Sequence, residues 1–143
     1  MSLSKFRISA KCFFFDSHNR VLLVKGQRPE KGENYWSTPG GGVEEGESVY
    51  RAAERELTEE TGYAGRVEKI VFAQDYPNQD HGRNFEIFMV GNIDESIAPR
   101  ENCDHEPRFF SEAEFKYIYF LPEGVNPFEL RRNNKADYKT YLR

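Results

Sequence analysis

Between Gly40 and Gly62 the chain passes from a glycine-rich segment, Gly40-Gly41-Gly42-Val43-Glu44-Glu45-Gly46, into a stretch that constrains the whole fold. That stretch, Ser48 to Thr61, has no Pro or Gly and is rich in Ala, Glu, Arg and Leu, the composition of a helix. The glycines let the backbone turn sharply and approach a ligand closely, and Gly62 is the expected stop just past the last turn. The helix carries Glu56, Glu59 and Glu60 near its C-terminal end. With about 100° between successive residues, these carboxylates share a stripe with Val49, Ala52 and Ala53, while Arg51, Glu54 and Thr58 lie behind. An ordinary amphipathic helix sets its acids opposite its apolar side. Three carboxylates leaning inward together repel one another and must be protonated, hydrated or bound to a cation. Hard oxygen ligands at i, i+3 and i+4 suit Mg²⁺ or Mn²⁺, which keep several waters and take phosphate oxygens as further ligands.

At 143 residues, 38% hydrophobic and 15% aromatic, the chain has room for one domain with a real core, and 1–143 is read as a single domain. There is no apolar run long enough to span a bilayer and no secretory signal is read. The two cysteines, Cys12 and Cys103, lack metal or redox spacing. A reducing, cytoplasmic setting is therefore expected, with Cys12 a buried small residue. Twenty Lys plus Arg against 24 Asp plus Glu give a net charge of −4, whereas a polynucleotide partner needs a basic face. The expected partner is a small phosphorylated substrate, with no nucleic acid and no membrane; oligomeric state is left open.

Phe6 to Asp16 and Arg20 to Lys25 read as a hairpin with His18 in its solvated turn, and Arg66 to Asp75 and Asn84 to Val90 as a second hairpin. Gln27 to Asn34 is a polar loop, and Gly91 to Glu106 a long acidic connection. Pro107 to Phe110 reads as a short strand, Ser111 to Glu114 as a capping box, and Phe128–Arg132 and Ala136–Leu142 as helical. Strands on both sides of a central helix, with another helix near the end, give an α/β architecture, a mixed sheet flanked by helices.

Gly41, five residues, Glu47, seven residues and then Arg55-Glu56-Leu57-Thr58-Glu59-Glu60-Thr61-Gly62 resembles the signature box of the Nudix hydrolases. Background composition gives such a match on the order of once in a billion windows, taking each fixed residue at ~5–7%. Trp36 to Gly42, WSTPGGG, resembles the usual lead-in, with Thr38 where an apolar residue is commoner. Tyr63 stands where the family has an aliphatic residue, a packing position. The resemblance implies the Nudix fold, an α/β/α sandwich, and a Mg²⁺- or Mn²⁺-dependent hydrolase of diphosphate linkages. It makes Glu56, Glu59 and Glu60 metal ligands, with the Gly41 carbonyl a further one, and Glu56 the first choice as base. Glu106, Glu101 and Asp104 are candidates for an extra base or ligand. Arg55 holds a carboxylate in register, and Glu47 sits at the helix entrance. Lys25, Arg28 and Arg83 are candidate phosphate contacts. Among substrates, ADP-ribose or a nucleotide sugar is favoured, with a nucleoside triphosphate as the alternative and a non-catalytic nucleotide sensor behind both.

Overall fold

A computed structural model describes residues 3, 5–26, 28, 34–79, 82–101 and 105–142. The expectations for Cys103, Asp104 and most of the loop before Asn34 lie outside these residues. In chain order the elements are β1 (Phe6–Phe15), β2 (Val21–Lys25), β3 (Tyr35–Ser37), β4 (Gly40–Gly42), α1 (Val49–Thr61), β5 (Gly65–Pro77), β6 (Arg83–Ile93), β7 (Pro107–Phe110), α2 (Glu112–Phe115), β8 (Tyr119–Phe120), α3 (Pro127–Arg132) and β9 (Asp137–Thr140). Both expected hairpins form. In the turn of the first, the Asp16 carboxylate accepts the N–H groups of His18 and Arg20 at 3.0 and 2.8 Å, and His18 is exposed.

The strands make one mixed sheet in the order β8-β3-β2-β1-β6-β5-β9, with β4 added to β1 and β7 to β2. Pairs β1/β6, β3/β8 and β5/β9 are parallel and the remainder antiparallel. Successive side chains of a strand point to opposite faces, and β1 uses both. Phe13 and Phe15 join Phe88, Val90, Phe110 and Phe128 on one face; Ala10, Cys12 and Phe14 join Met89 and Ala52, Ala53 and Leu57 of α1 on the other. Each fully buried large apolar side chain contributes roughly 1.5–3 kcal/mol. Helix α1 therefore covers one face, while α2 and α3 close the other through Phe115 and Phe128, whose rings are 6.0 Å apart. The sheet is sandwiched between helices, as the sequence implied, and Cys12 is fully buried.

The packing role expected of Tyr63 is met. Trp36 stacks edge-on against Phe110 with ring centroids 4.9 Å apart, and Tyr63 meets Phe109 edge-on at 5.3 Å. Phe88 and Phe110 are core residues, whereas Phe85 is only half-buried, between Phe6 and Tyr138. The expected helix at Ala136–Leu142 is corrected: Asp137–Thr140 is strand β9, parallel to β5 from Phe72↔Asp137 to Asp75↔Thr140. A piece this short has little helical stability of its own. Its alternating Tyr138 and Thr140 suit a sheet edge and both bind Asp75.

Candidate metal and phosphate site

Helix α1 starts and stops where its sequence directs. Ser48 caps its first turn by accepting the Arg51 N–H, and Gly62, left-handed at φ 81°, donates to the Thr58 carbonyl. The glycine segment before it is partly strand: β4 pairs antiparallel with β1, Gly42 opposite Ser9, Gly41 opposite Ala10 and Gly40 opposite Lys11. A Cβ on Gly41 would lie 2.6 Å from Glu56 Oε1, and one on Gly40 would lie 2.4 Å from the Ala10 carbonyl oxygen and 2.7 Å from Lys11 Cγ. At Gly40 a side chain would run into backbone, while at Gly41 it would displace the Glu56 carboxylate, so the Gly41 backbone lies directly against a box carboxylate.

Arg55 organises the acids. Its Nε and Nη2 grip Glu47 at 3.1 and 2.7 Å, Nη2 also reaches the Gly42 carbonyl at 3.1 Å, and Nη1 donates to Glu56 at 3.0 Å and Glu59 at 3.1 Å. Glu44 stands 3.7 Å from the same Nη1. The Arg55 hydrogen bonds, together with one involving the Glu44 backbone, hold Glu47 below the usual carboxylate range. Arg55 in turn is held more firmly charged than an ordinary arginine, chiefly by Glu47. The positioning role expected from its i,i+4 relation to Glu59 thus extends to three elements: β4, the loop at Glu47 and α1.

The three box glutamates are not equivalent. Glu60 is buried at 9% exposure, Glu56 is close behind, and the Glu59 side chain is 52% exposed. Burial first, then the hydrogen bond and charge of neighbouring Glu56, push Glu60 up to about 8; the Gly40 N–H, 3.4 Å away, and the Lys11 charge oppose this. Without a cation, the Glu56–Glu60 pair therefore resists carrying two negative charges. Among the described residues no three acidic, histidine or cysteine side chains stand close enough to hold an ion as they are; to join Glu56 and Glu60, Glu59 would have to leave Arg55. The donor set nevertheless fits a hard divalent cation. Two carboxylates lie side by side under burial, and a glycine backbone lies against one of them where a Cβ would collide.

The other expected site residues fall in different places. Lys25, exposed at the end of β2, pairs with Trp36, and Arg28 is exposed, its backbone N–H on the Tyr35 hydroxyl at 2.9 Å. The Arg28 charge reaches the Tyr76 phenol, which burial and then Glu86 push up to about 12. The acidic connection docks on the end of α1 that carries the box acids: Arg100 N–H donates to the Gly62 carbonyl at 2.8 Å and His105 N–H to the Glu60 carbonyl at 3.0 Å. Glu101 and Glu106, both exposed, directly follow these two docked residues in the chain.

Arg83 has other partners than the expected phosphate. Its guanidinium binds the Asp75 carboxylate, Thr140 Oγ1 at 3.2 Å and the Tyr141 carbonyl at 2.6 Å, tying β9 to β5 and β6. The hydroxyls of Tyr138 and Thr140, then Arg83, hold Asp75 down to about 2. One group escaped sequence reasoning: Lys11 Nζ lies 3.5 Å from Glu86 Oε2, and Gln74 donates to Glu86 Oε1 at 2.8 Å. The only signal was a lysine inside an apolar strand run.

An arginine-braced set of glutamates on the central helix, set against a glycine strand within a mixed sheet between helices, is the layout of a Nudix domain. The NUDIX domain model matches residues 5–139, and the chain belongs to that hydrolase family. It is 52% identical over 50 residues to the ADP-sugar pyrophosphatase of Mus musculus, covering 35% of this chain and 23% of that protein. It is 31% identical over 131 residues to an RNA pyrophosphohydrolase of Novosphingobium aromaticivorans, covering 81% of this chain and 80% of that one. A NUDIX hydrolase from Nitrosomonas europaea superposes with a TM-score of 0.73 at 19% identity, over 99% of this chain and 82% of that one, a likeness of fold. The chain spans 23% to 58% of the length of the mouse and rat relatives it matches. No helix among the described residues is long and apolar enough to cross a membrane.

Proposed function

We propose that the chain hydrolyses a diphosphate linkage in a nucleoside diphosphate derivative, of ADP-ribose or nucleotide-sugar type, with Mg²⁺ or Mn²⁺ held by Glu56, Glu59 and Glu60 and by the Gly41 carbonyl. The observation that carries this is the meeting of α1 and β4, where the half-buried Glu56 carboxylate lies against the Gly41 backbone with the buried Glu60 beside it. A divalent cation bound there supplies charge neutralisation, polarisation of a phosphoryl oxygen and a more acidic water. Arg55 keeps Glu56 in register with the glycine strand and holds Glu59 beside it. Glu56 accepts the proton of a water attacking phosphorus in line, and the new P–O bond forms as the bridging P–O bond breaks. Products are a nucleoside monophosphate and a phosphorylated group. Glu106 and Glu101, on the segment docked over the same helix end, are the alternative bases.

The mouse relative's name favours an ADP-sugar substrate. A nucleoside triphosphate is the second reading; the Novosphingobium relative's name points instead to RNA, and a net charge of −4 weighs against a polynucleotide. The complete box disfavours a sensor without turnover. Purified protein with Mg²⁺ in ¹⁸O-labelled water, offered ADP-ribose, nucleotide sugars, nucleoside triphosphates and dinucleoside polyphosphates, tests both levels. The label should enter a phosphate-bearing product, with the highest kcat/KM on a nucleoside-diphosphate-linked compound. Label found only on a sugar carbon would mean that a different reaction runs.

A further inference from the structure

We propose that Lys11 is a substrate-binding cation of this site, held over the glycine strand by Glu86 and Gln74 so that its ammonium meets a phosphate oxygen of the substrate. This rests on the diphosphate reading above and adds a residue to it. Lys11 stands opposite Gly40 across the β1/β4 ladder, and its stem occupies the space that a Cβ on Gly40 would enter. Gly40 in turn donates its N–H to Glu60 at 3.4 Å, so the residue on which the Lys11 stem packs also touches the acids of the box. The side chain is still 26% exposed, and its contact to Glu86, at 3.5 Å, engages one of three ammonium donors. Arg55, by contrast, has its donors committed to Glu47, Glu56, Glu59 and the Gly42 carbonyl.

The support for Lys11 is itself unusual. Glu86 and Gln74, cross-strand partners on β6 and β5, are both buried and bonded to each other at 2.8 Å. Burying a carboxylate in mid-sheet is costly unless it is paired, and neither α1 nor the aromatic core needs one at this position. Gln74 fixes one oxygen of Glu86, the Tyr76 hydroxyl also meets this carboxylate, and Lys11 stands at the other oxygen. The alternative is a structural ion pair that merely closes the sheet. A structural pair would raise stability and leave ligand affinity alone.

The probe is α,β-methylene-ADP, a diphosphate whose bridge cannot be hydrolysed, titrated by calorimetry in Mg²⁺ against wild type, Lys11→Met, Lys11→Arg and Glu86→Gln, with melting temperatures recorded alongside. Lys11→Met should weaken binding about tenfold to a hundredfold, the loss of one charge-assisted hydrogen bond. Lys11→Arg should retain most of the affinity, and Glu86→Gln should show a smaller loss that vanishes in the Lys11→Met background. Affinity in Lys11→Met equal to wild type, or no binding by wild type, overturns the proposal. Equal losses in Lys11→Met and Lys11→Arg that follow only a fall in melting temperature do so as well. Wild type that binds the analogue through Lys11 yet turns over no diphosphate substrate would overturn the hydrolase reading alone.

Discussion

Two arginines of this chain each gather carboxylates, and the charge comes out differently. Arg83 meets one carboxylate, Asp75, and the remaining contacts are hydroxyls and a carbonyl, so the cluster balances and joins β9 to β5 and β6. Arg55 lies within 4 Å of Glu44, Glu47, Glu56 and Glu59, with Glu60 pressed against Glu56, so one positive charge faces a surplus of negative charge. A balanced cluster is a brace. A cluster with a negative surplus is a place for a cation, and at the end of α1 such a surplus stands beside a glycine backbone.

The largest difference between the two should appear on removing Arg55. Arg55→Ala frees Glu47, Glu56 and Glu59 at once, and turnover should fall about a hundredfold, since small misplacement of catalytic groups is costly. Its melting temperature without metal should also fall, and saturating Mg²⁺ should recover part of the loss by binding the folded state. Full turnover in this variant would make Arg55 only a surface charge on the helix. Gly41→Ala should act on the same cluster without harming the fold, because the new Cβ meets the movable end of Glu56. Roughly tenfold slower turnover with an almost unchanged melting temperature is expected; normal turnover would show that the Gly41–Glu56 contact is incidental.

Arg83→Ala should invert this pattern. The melting temperature should drop by roughly 3–8 °C as β9 loses its tie, while kcat/KM stays within about twofold. A raised KM with an unchanged melting temperature would return Arg83 to the phosphate contact that its sequence position suggested. The smallest effect is one of pH. Asp75 titrates at about 2 in the fold against an ordinary 3.8, held down first by the Tyr138 hydroxyl. A carboxylate lowered by folding stabilises fully above its unfolded value and progressively less as pH falls through the folded one. The melting-temperature gap between wild type and Asp75→Asn should therefore be constant from pH 7 to 5 and close between about pH 4 and 2. A gap independent of pH would remove the carboxylate from the brace.

What could be read before folding follows the range of the interactions. Helix α1, its Ser48 and Gly62 ends and the capping box at Ser111 depend on residues within a turn or two, and all were legible. Strand β4 was not, because three glycines carry no strand preference and Gly40–Gly42 become strand only by pairing with Ser9–Lys11. Ala136–Leu142 looked helical by composition, yet its fate is decided by Asp75 on a distant strand. Lys11 and Glu86 were invisible as a pair for the same reason: the parallel register of β1 and β6, which sets Ser9 opposite Glu86 and brings Lys11 within reach, joins segments far apart in sequence. Glu59 was expected to lean inward with its neighbours; the structure leaves it half exposed on Arg55, because its place on the helix lies at the edge of the stripe.

The central claim is that the surplus of carboxylates on α1 is a divalent-metal site, and Mn²⁺ binding tests it most directly. Calorimetry should show affinity falling at least about tenfold in Glu56→Gln, Glu59→Gln and Glu60→Gln, the loss of one anionic ligand each. Asp75→Asn, in the balanced cluster, should bind Mn²⁺ as wild type does. Unchanged affinity in all three glutamate variants, or an equal loss in Asp75→Asn, would contradict the assignment of the metal to this helix.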